Sequence, residues 1–406
     1  MSEIYDVAII GAGPAGSASA AYLARAGKRV IAVDKGTFPR DKPCAEYLSP
    51  AAEPLLDDLG ILTTLTKAPG RLKGFRLFAP NGRMFQGDFA ATRDRNGASI
   101  FETGLVIPRL QLDVAIVQAA RRAGAEIREN WRLASFTRDS QTGVYTIIPA
   151  DAGEPIQTKM ILAADGVHST IAQRLGLHRT GKLRKIALVA HMRGIAGLSE
   201  YGEMHVAGKR YVGLAPMEND GDLCNVALVV DEHRDGKKLA GHAEQFLLEA
   251  LESFPKIKGR LAQVSIERHT LAVSRLSVQA KQLSTDGILL VGDAAGYYDP
   301  FTGEGIYRAL RGAQIATNVT LDALECGDVG AKALLAYDRL YHTEFRGKRA
   351  IEMIIQSSVQ LPFIMDHIAF RLARRKAMAH TIIAVTGDFA SPWRVLNPWY
   401  LLRLVL

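Results

Sequence analysis

The 406-residue sequence predicts an α/β protein: a doubly wound domain, an antiparallel sheet inserted into it, and a helical C-terminal region. Three observations carry this reading. An apolar run at 5–10 enters the turn Gly11-Ala12-Gly13-Pro14-Ala15-Gly16, and a helix of small residues at 17–26 follows, closed by Gly27. Two further turns, Asp165-Gly166 and Gly292-Asp293, also follow apolar runs, at 160–164 and 288–291. Between them, runs at 187–192, 211–214 and 223–230 read as strands of a second sheet, with turn residues such as Asn219-Asp220-Gly221 between them.

Taken in order, 28–33 supplies the second strand of the nucleotide fold. The segments 75–78 and 83–85 flank Pro80-Asn81-Gly82, a hairpin turn that carries the chain out of that domain. Pro108 opens a helix with Leu112, Ile116, Ala119 and Ala123 along one side, which returns the chain to it. A late helix begins near Gly303 and ends at Gly327. The expected domains are a discontinuous nucleotide domain (1–70, 105–178, 276–345), a substrate domain (71–104, 179–275) and a helical region (346–406).

Composition narrows the classes. With 48% hydrophobic and 23% charged residues, the chain can bury a large core. The net charge of +8 is dispersed and no nucleic-acid motif accompanies it. Cys44, Cys224 and Cys326 are too few and too scattered for a disulfide framework, a redox dithiol or a metal site. No signal-peptide pattern is read at the start, so the cytoplasm is the expected location. The C-terminal region, with Arg371, Arg374, Arg375, Lys376, Trp393, Trp399 and Tyr400, is too interrupted to span a bilayer. It is expected to pack on the body, with peripheral membrane contact as the alternative.

The turns point to one ligand. Gly11 and Gly13 let a pyrophosphate approach the backbone, Gly16 lets the helix pack close to the sheet, and the helix start beyond Ala15 favours anions. Asp34, followed by Lys35 at the end of the second strand, is placed to accept hydrogen bonds from a ribose diol and to repel a 2′-phosphate. Arg109 is a candidate contact to the flavin or its phosphates, and Asp165 sits at the ligand edge of the sheet. His168 reads as a loop residue. Asp293, after Gly292, is suited to ribityl hydroxyls, and the backbone from Pro300 through Gly303 and Gly305 to the pyrimidine edge of a flavin, where a helix start stabilises negative charge. Together the turns describe a single FAD site, and no second nucleotide fold is present for NAD(P)H, which is therefore expected as a transient reductant.

In this order the three turns resemble those of the group A flavoproteins typified by para-hydroxybenzoate hydroxylase. Phe38-Pro39-Arg40-Asp41-Lys42-Pro43-Cys44, Leu48-Ser49-Pro50, and Asp299-Pro300 with Gly303-Glu304-Gly305-Ile306 are most similar to the geranylgeranyl reductase branch. The resemblance covers roughly residues 1–350 and implies one non-covalent FAD, an antiparallel substrate domain over it, and a lipid-like or polycyclic substrate. Three departures stand out. The branch's Tyr-x-Trp-x-Phe-Pro stretch appears as Tyr211-Val212-Gly213-Leu214-Ala215-Pro216, which predicts a roomier wall at Gly213 and Ala215 and argues against an isoprenoid-shaped tunnel. Its Pro-Cys-Gly-x-Gly loop appears as Pro43-Cys44-Ala45-Glu46-Tyr47, putting Glu46 or Tyr47 toward substrate. The arginine closing the Asp-Gly motif is Ala172, leaving that contact to Arg174 or to nothing. The tryptophan-rich halogenase signature is absent.

Three activities follow. The leading expectation is an NAD(P)H-dependent monooxygenase that hydroxylates an aromatic, polyketide or quinone-type hydrophobic substrate through a flavin C4a-hydroperoxide. The alternative is reduction of a carbon–carbon double bond in an isoprenoid or lipid, with Cys44, Tyr47 or Tyr211 giving the proton. A non-catalytic, flavin-bound membrane-docking protein is the third. The oligomeric state is left open.

Overall fold

A computed structural model describes residues 4–65, 70–89, 92–93, 99–100, 103–151, 153–181, 183–219, 221–239, 241–274 and 276–406. Asp220 of the expected 219–221 turn lies outside them. The first strand, Tyr5–Ile10, is almost wholly buried, as a continuous apolar run demands. It pairs in parallel with Val30–Val33 on one side (Val7 opposite Val30) and with Ile156–Ala163 on the other (Val7 opposite Met160). Glu126–Arg128 extends one edge in parallel, and Ile288–Leu290 lies parallel to the second half of Ile156–Ala163. All three glycine turns leave this sheet at the carboxyl ends of its parallel strands, the edge where open α/β sheets bind ligands.

The helices Pro14–Arg25, Arg109–Arg122 and Gly305–Cys326 pack together around it, and their apolar faces join one core cluster with the sheet. The first helix starts three residues earlier than the periodicity suggested, because Pro14 fits a first helical turn, where no amide is needed.

The second sheet has seven strands in the order Ser265–Ser274, Lys185–Arg193, Cys224–Asp231, Arg210–Pro216, Tyr201–Ala207, Gly74–Phe78, Met84–Asp88. Every pairing is antiparallel except that of Tyr201–Ala207 with Gly74–Phe78. Alternation along Arg210–Pro216 divides its side chains: Tyr211 and Ala215 face one apolar cluster, Val212 and Leu214 another beneath the helix Ala243–Leu251.

The C-terminal helices Pro362–Arg374 and Lys376–Thr386 lie against the edge strand Met84–Asp88, covering a strand that would otherwise be open. The boundary drawn at 345/346 from sequence falls inside one continuous helix, Ala331–Gln360. That helix begins on the nucleotide body, where Tyr337 donates to the Leu290 carbonyl, and ends over the second sheet, so the two regions share it. Among the described residues, no helix is long and apolar enough to cross a membrane.

Candidate functional site

Between the two sheets lies a cleft of about 1340 Å³, counting the part open to solvent. Its nucleotide-domain wall is made by Gly13, Ala15, Arg109, Gly166, Gly292, Asp293, Pro300, Gly303 and Gly305, and its other wall by strand residues including Val189, Met204, Tyr211 and Gly213. Gly11 and Gly16 stand behind the first turn and shape it. Gly11 has φ +100°, and a Cβ there would sit 2.4 Å from the Ala164 carbonyl oxygen. A Cβ on Gly16 would sit 1.8 Å from the Gly11 oxygen.

The donor set fits a dinucleotide. Two helix starts, Gly13 before Pro14–Arg25 and Glu304 before Gly305–Cys326, border the cleft, and neither has a side-chain cap. Their orphan amides are therefore available to phosphate at one end and to an anionic ring edge at the other. A Cβ on Gly13 would meet nothing but Arg40, at 3.6 Å, so the turn presents bare backbone there. Lys42 also lines the cleft, and burial beside Arg109 pushes its pKa down.

Several residues assigned from sequence have protein partners of their own or stand back from the cleft. Asp34 is buried, accepting from the Ala12 amide (2.8 Å) and the Gly36 amide (2.9 Å), so it braces the first turn. Arg40 pairs with it at 3.2 Å, which weakens the argument that this carboxylate alone repels a 2′-phosphate. Lys35 is exposed and lies outside the cleft lining. The Asp165 carboxylate accepts from the Thr170 amide at 2.7 Å, at the start of a short helix, while its neighbours Ala164 and Gly166 line the cleft. Burial pushes the Asp165 pKa up, and Arg174 is exposed and supplies no contact to it. Arg109 is buried and held by Asp113 through two hydrogen bonds of 2.6 and 2.7 Å.

The Cys44–Tyr47 loop crosses from one domain to the other. Glu46 adopts φ +58°, an uncommon conformation for a residue with a side chain, and four donors hold it there. Oε1 accepts from the Arg109 amide (3.0 Å) and Arg268 (3.1 Å). Oε2 meets His191 (2.6 Å) and the Asn225 amide group (2.9 Å). Burial alone would raise its pKa, but His191 foremost, then the Arg109 amide and Arg268, bring it below the ordinary carboxylate range. Glu46 thus borders the cleft as a clasp between the domains, with both oxygens occupied by protein.

The other proposed acids differ. Cys44 lines the cleft, and its sulfur accepts from the Glu46 amide at 3.3 Å. Tyr211 is fully buried and its hydroxyl donates a hydrogen bond to Asp299 at 2.6 Å; Asp299 also pairs with Lys185 at 2.8 Å. Tyr47 makes no side-chain hydrogen bond to the described residues, and burial, then Glu304, raises its pKa well above normal. Its ring packs on Gly303, where φ is +71° and a Cβ would approach Tyr47 Cδ1 to 2.6 Å.

A second cavity, of about 940 Å³ counting the part open to solvent, adjoins the first and was not foreseen from sequence. Phe75, Leu77 and Phe85 of the second sheet form its floor, and Ile355, Leu372 and Ile383 are among the side chains of its helical roof. Thr302, Ser358 and Thr386 are the polar side chains among its twenty lining residues, apart from the Tyr47 hydroxyl. Tyr47 and Met204 line both spaces. Gly213 does face the cleft, but Met204 fills the volume its missing side chain leaves, its methyl 3.5 Å from where a Cβ would stand. Ala215 is packed in the neighbouring apolar cluster and lies outside the cleft lining. The apolar space thus lies farther along the sheet than the Tyr211–Pro216 comparison suggested.

The FAD binding domain family matches residues 4–342. The chain belongs to this family of group A flavoproteins, in its geranylgeranyl reductase-like branch, and is an FAD-dependent oxidoreductase. A digeranylgeranylglycerophospholipid reductase 1 of Methanothermobacter thermautotrophicus is 31% identical over 346 residues, covering 84% of this chain and 82% of its own. The conditioned medium factor receptor 1 of Dictyostelium discoideum is 28% identical, over 96% of this chain and 78% of its own. Among solved structures, a flavoprotein/dehydrogenase from Cytophaga hutchinsonii superposes with a TM-score of 0.82 at 18% identity, covering 98% of this chain and 95% of its own.

Proposed function

We propose that the chain uses FAD to reduce carbon–carbon double bonds in a long, apolar isoprenoid or similar lipid. The observation that carries this reading is the apolar chamber that meets the FAD cleft at Tyr47 and Met204. A flat, oxygenated aromatic substrate has little use for so apolar an annex, whereas a prenyl chain would bury there, each methylene contributing about 0.8 kcal/mol. The relative named as a digeranylgeranylglycerophospholipid reductase supports the same class. This reverses the ranking drawn from sequence, in which aromatic hydroxylation came first.

When bound and reduced by a donor such as NAD(P)H, FAD would supply the hydride chemistry of alkene reduction. The protein's task is to hold the alkene against the ring, exclude water and give a proton to one carbon of the double bond. Backbone around Gly13, Gly303 and Gly305, together with Asp293, holds the cofactor, and the chamber holds the chain. For the proton, Tyr211 is committed to Asp299, which leaves Tyr47 and Cys44 at the cleft. Tyr47 is the better placed, since it borders both spaces and its hydroxyl makes no side-chain hydrogen bond to the described residues.

Anaerobic incubation of the reduced protein with a prenyl alcohol should yield product heavier by two hydrogens per reduced bond, with flavin reoxidation. Oxygen-dependent turnover giving a hydroxylated product, and no anaerobic reaction, would overturn the proposal in favour of monooxygenation. Tyr47→Phe should slow alkene reduction by roughly 10²-fold with flavin reduction by the donor unchanged. If Cys44→Ala shows that loss and Tyr47→Phe does not, the proton belongs to Cys44.

A further inference from the structure

The roof of the chamber has an outer side that the reaction does not use. The helix Pro398–Val405 turns Leu401 and Leu404 into the chamber, while Trp399, Leu402 and Val405 stand outside with Leu406. Trp399 is 74% exposed and Leu406 71%. The outer side of this helix is therefore an apolar patch whose one charge is Arg403.

The neighbouring helix Pro362–Arg374 continues the patch. Phe363, 70% exposed, lies one turn before His367, whose Nε2 is 2.7 Å from the Val405 carbonyl. Arg371 follows one turn later. Its Nε and Nη2 are buried with no hydrogen-bond partner, and no ion pair of Arg371 occurs among the described residues. Arg375 donates to the Arg403 carbonyl, and burial, then the charges of Arg371 and Arg403, push its pKa down. From 361 to 406 the chain has six arginines and lysines against two aspartates. Asp388 is buried against Lys348, Asp366 accepts from the Asn81 amide, and neither pairs with these arginines among the described residues.

We propose that this face, Trp399, Leu402, Val405 and Phe363 beside Arg371, Arg375 and Arg403, docks on a membrane containing anionic phospholipid. Guanidinium groups short of anions match lipid phosphates, and the exposed tryptophan and leucines match the headgroup–acyl boundary. The face lies directly over the chamber, and Ile354, a chamber residue, is itself partly exposed at its edge. The further step, that the membrane delivers the substrate through this roof, rests on the lipid reading above.

The test is flotation of the full-length, FAD-loaded chain with vesicles of phosphatidylcholine alone or mixed with phosphatidylglycerol. Wild type should float with the mixed vesicles and lose binding as salt is raised. Arg371→Gln/Arg375→Gln/Arg403→Gln should bind them roughly a hundredfold more weakly, about fivefold per arginine. Trp399→Ser/Leu402→Ser should also lose binding while keeping its flavin absorbance. Equal binding by the variants, equal binding to both vesicles, or no binding by wild type overturns the surface. So does a dimer that Trp399→Ser/Leu402→Ser splits, if wild type ignores vesicles. Reduction of a short, soluble prenyl alcohol without vesicles separates the two ideas: its failure with flotation intact removes the reductase reading and leaves the surface standing.

Discussion

The cleft and the chamber share a wall yet are built on opposite principles. The nucleotide-domain wall of the cleft is made largely of backbone: three short turns at the ends of parallel strands, two uncapped helix starts, and glycines whose missing Cβ atoms let the main chain pack or present itself there. The chamber is made of side chains drawn from the strands Gly74–Phe78, Met84–Asp88 and Tyr201–Ala207, from Tyr47, Phe301 and Thr302, and from the helices between residues 331 and 405, with no local signature. A site built on backbone announces itself in a few contiguous residues, while one built by packing exists only after the chain has folded.

The sharpest way to break the comparison is Gly13→Val. Gly13 has φ −72°, and its Cβ position is open, so the fold tolerates the change while the new side chain occupies the phosphate approach. Visible flavin absorbance should be lost, with near-native circular dichroism. Retained FAD would mean that this turn does not carry the pyrophosphate.

Next in size is Glu46→Ala, which leaves Arg268 and His191 without their buried carboxylate. A loss of about 3–5 kcal/mol in stability is expected from denaturant unfolding. Because the folded-state pKa of Glu46 is lowered, its contribution is present above the ordinary carboxylate pKa and lost as pH falls through the lowered value. The gap between wild type and variant should therefore narrow on acidification. An unchanged gap would point to lost packing as the cause.

Smallest is filling the chamber, for instance with Ile382→Phe. Turnover of a long prenyl substrate should fall about tenfold, with FAD content and short-substrate turnover unchanged. Equal loss on both substrates would mean that the two spaces are not functionally separate.

The same contrast explains what could be read beforehand. Strand, turn and helix around Gly11–Gly16 follow from local sterics, as do the hairpin at 80–82 and the helix starting at Arg109. The bracing of Asp34 by Ala12 and Gly36, and the turning of Asp165 toward Thr170, depend on side-chain direction, which spacing alone does not give. The Glu46 clasp joins residues at 46, 109, 191, 225 and 268, and no pattern in the chain links them. Met204 behind Gly213 is a cross-strand relation, which becomes legible only once the pairing of Tyr201–Ala207 with Arg210–Pro216 is known.

Tyr47 and Met204 belong to both linings and so form part of the partition between the compartments. An inhibitor with a planar head and a greasy tail could straddle that partition, and its selectivity would reside in the tail, because the head contacts backbone that any flavoprotein of this kind presents.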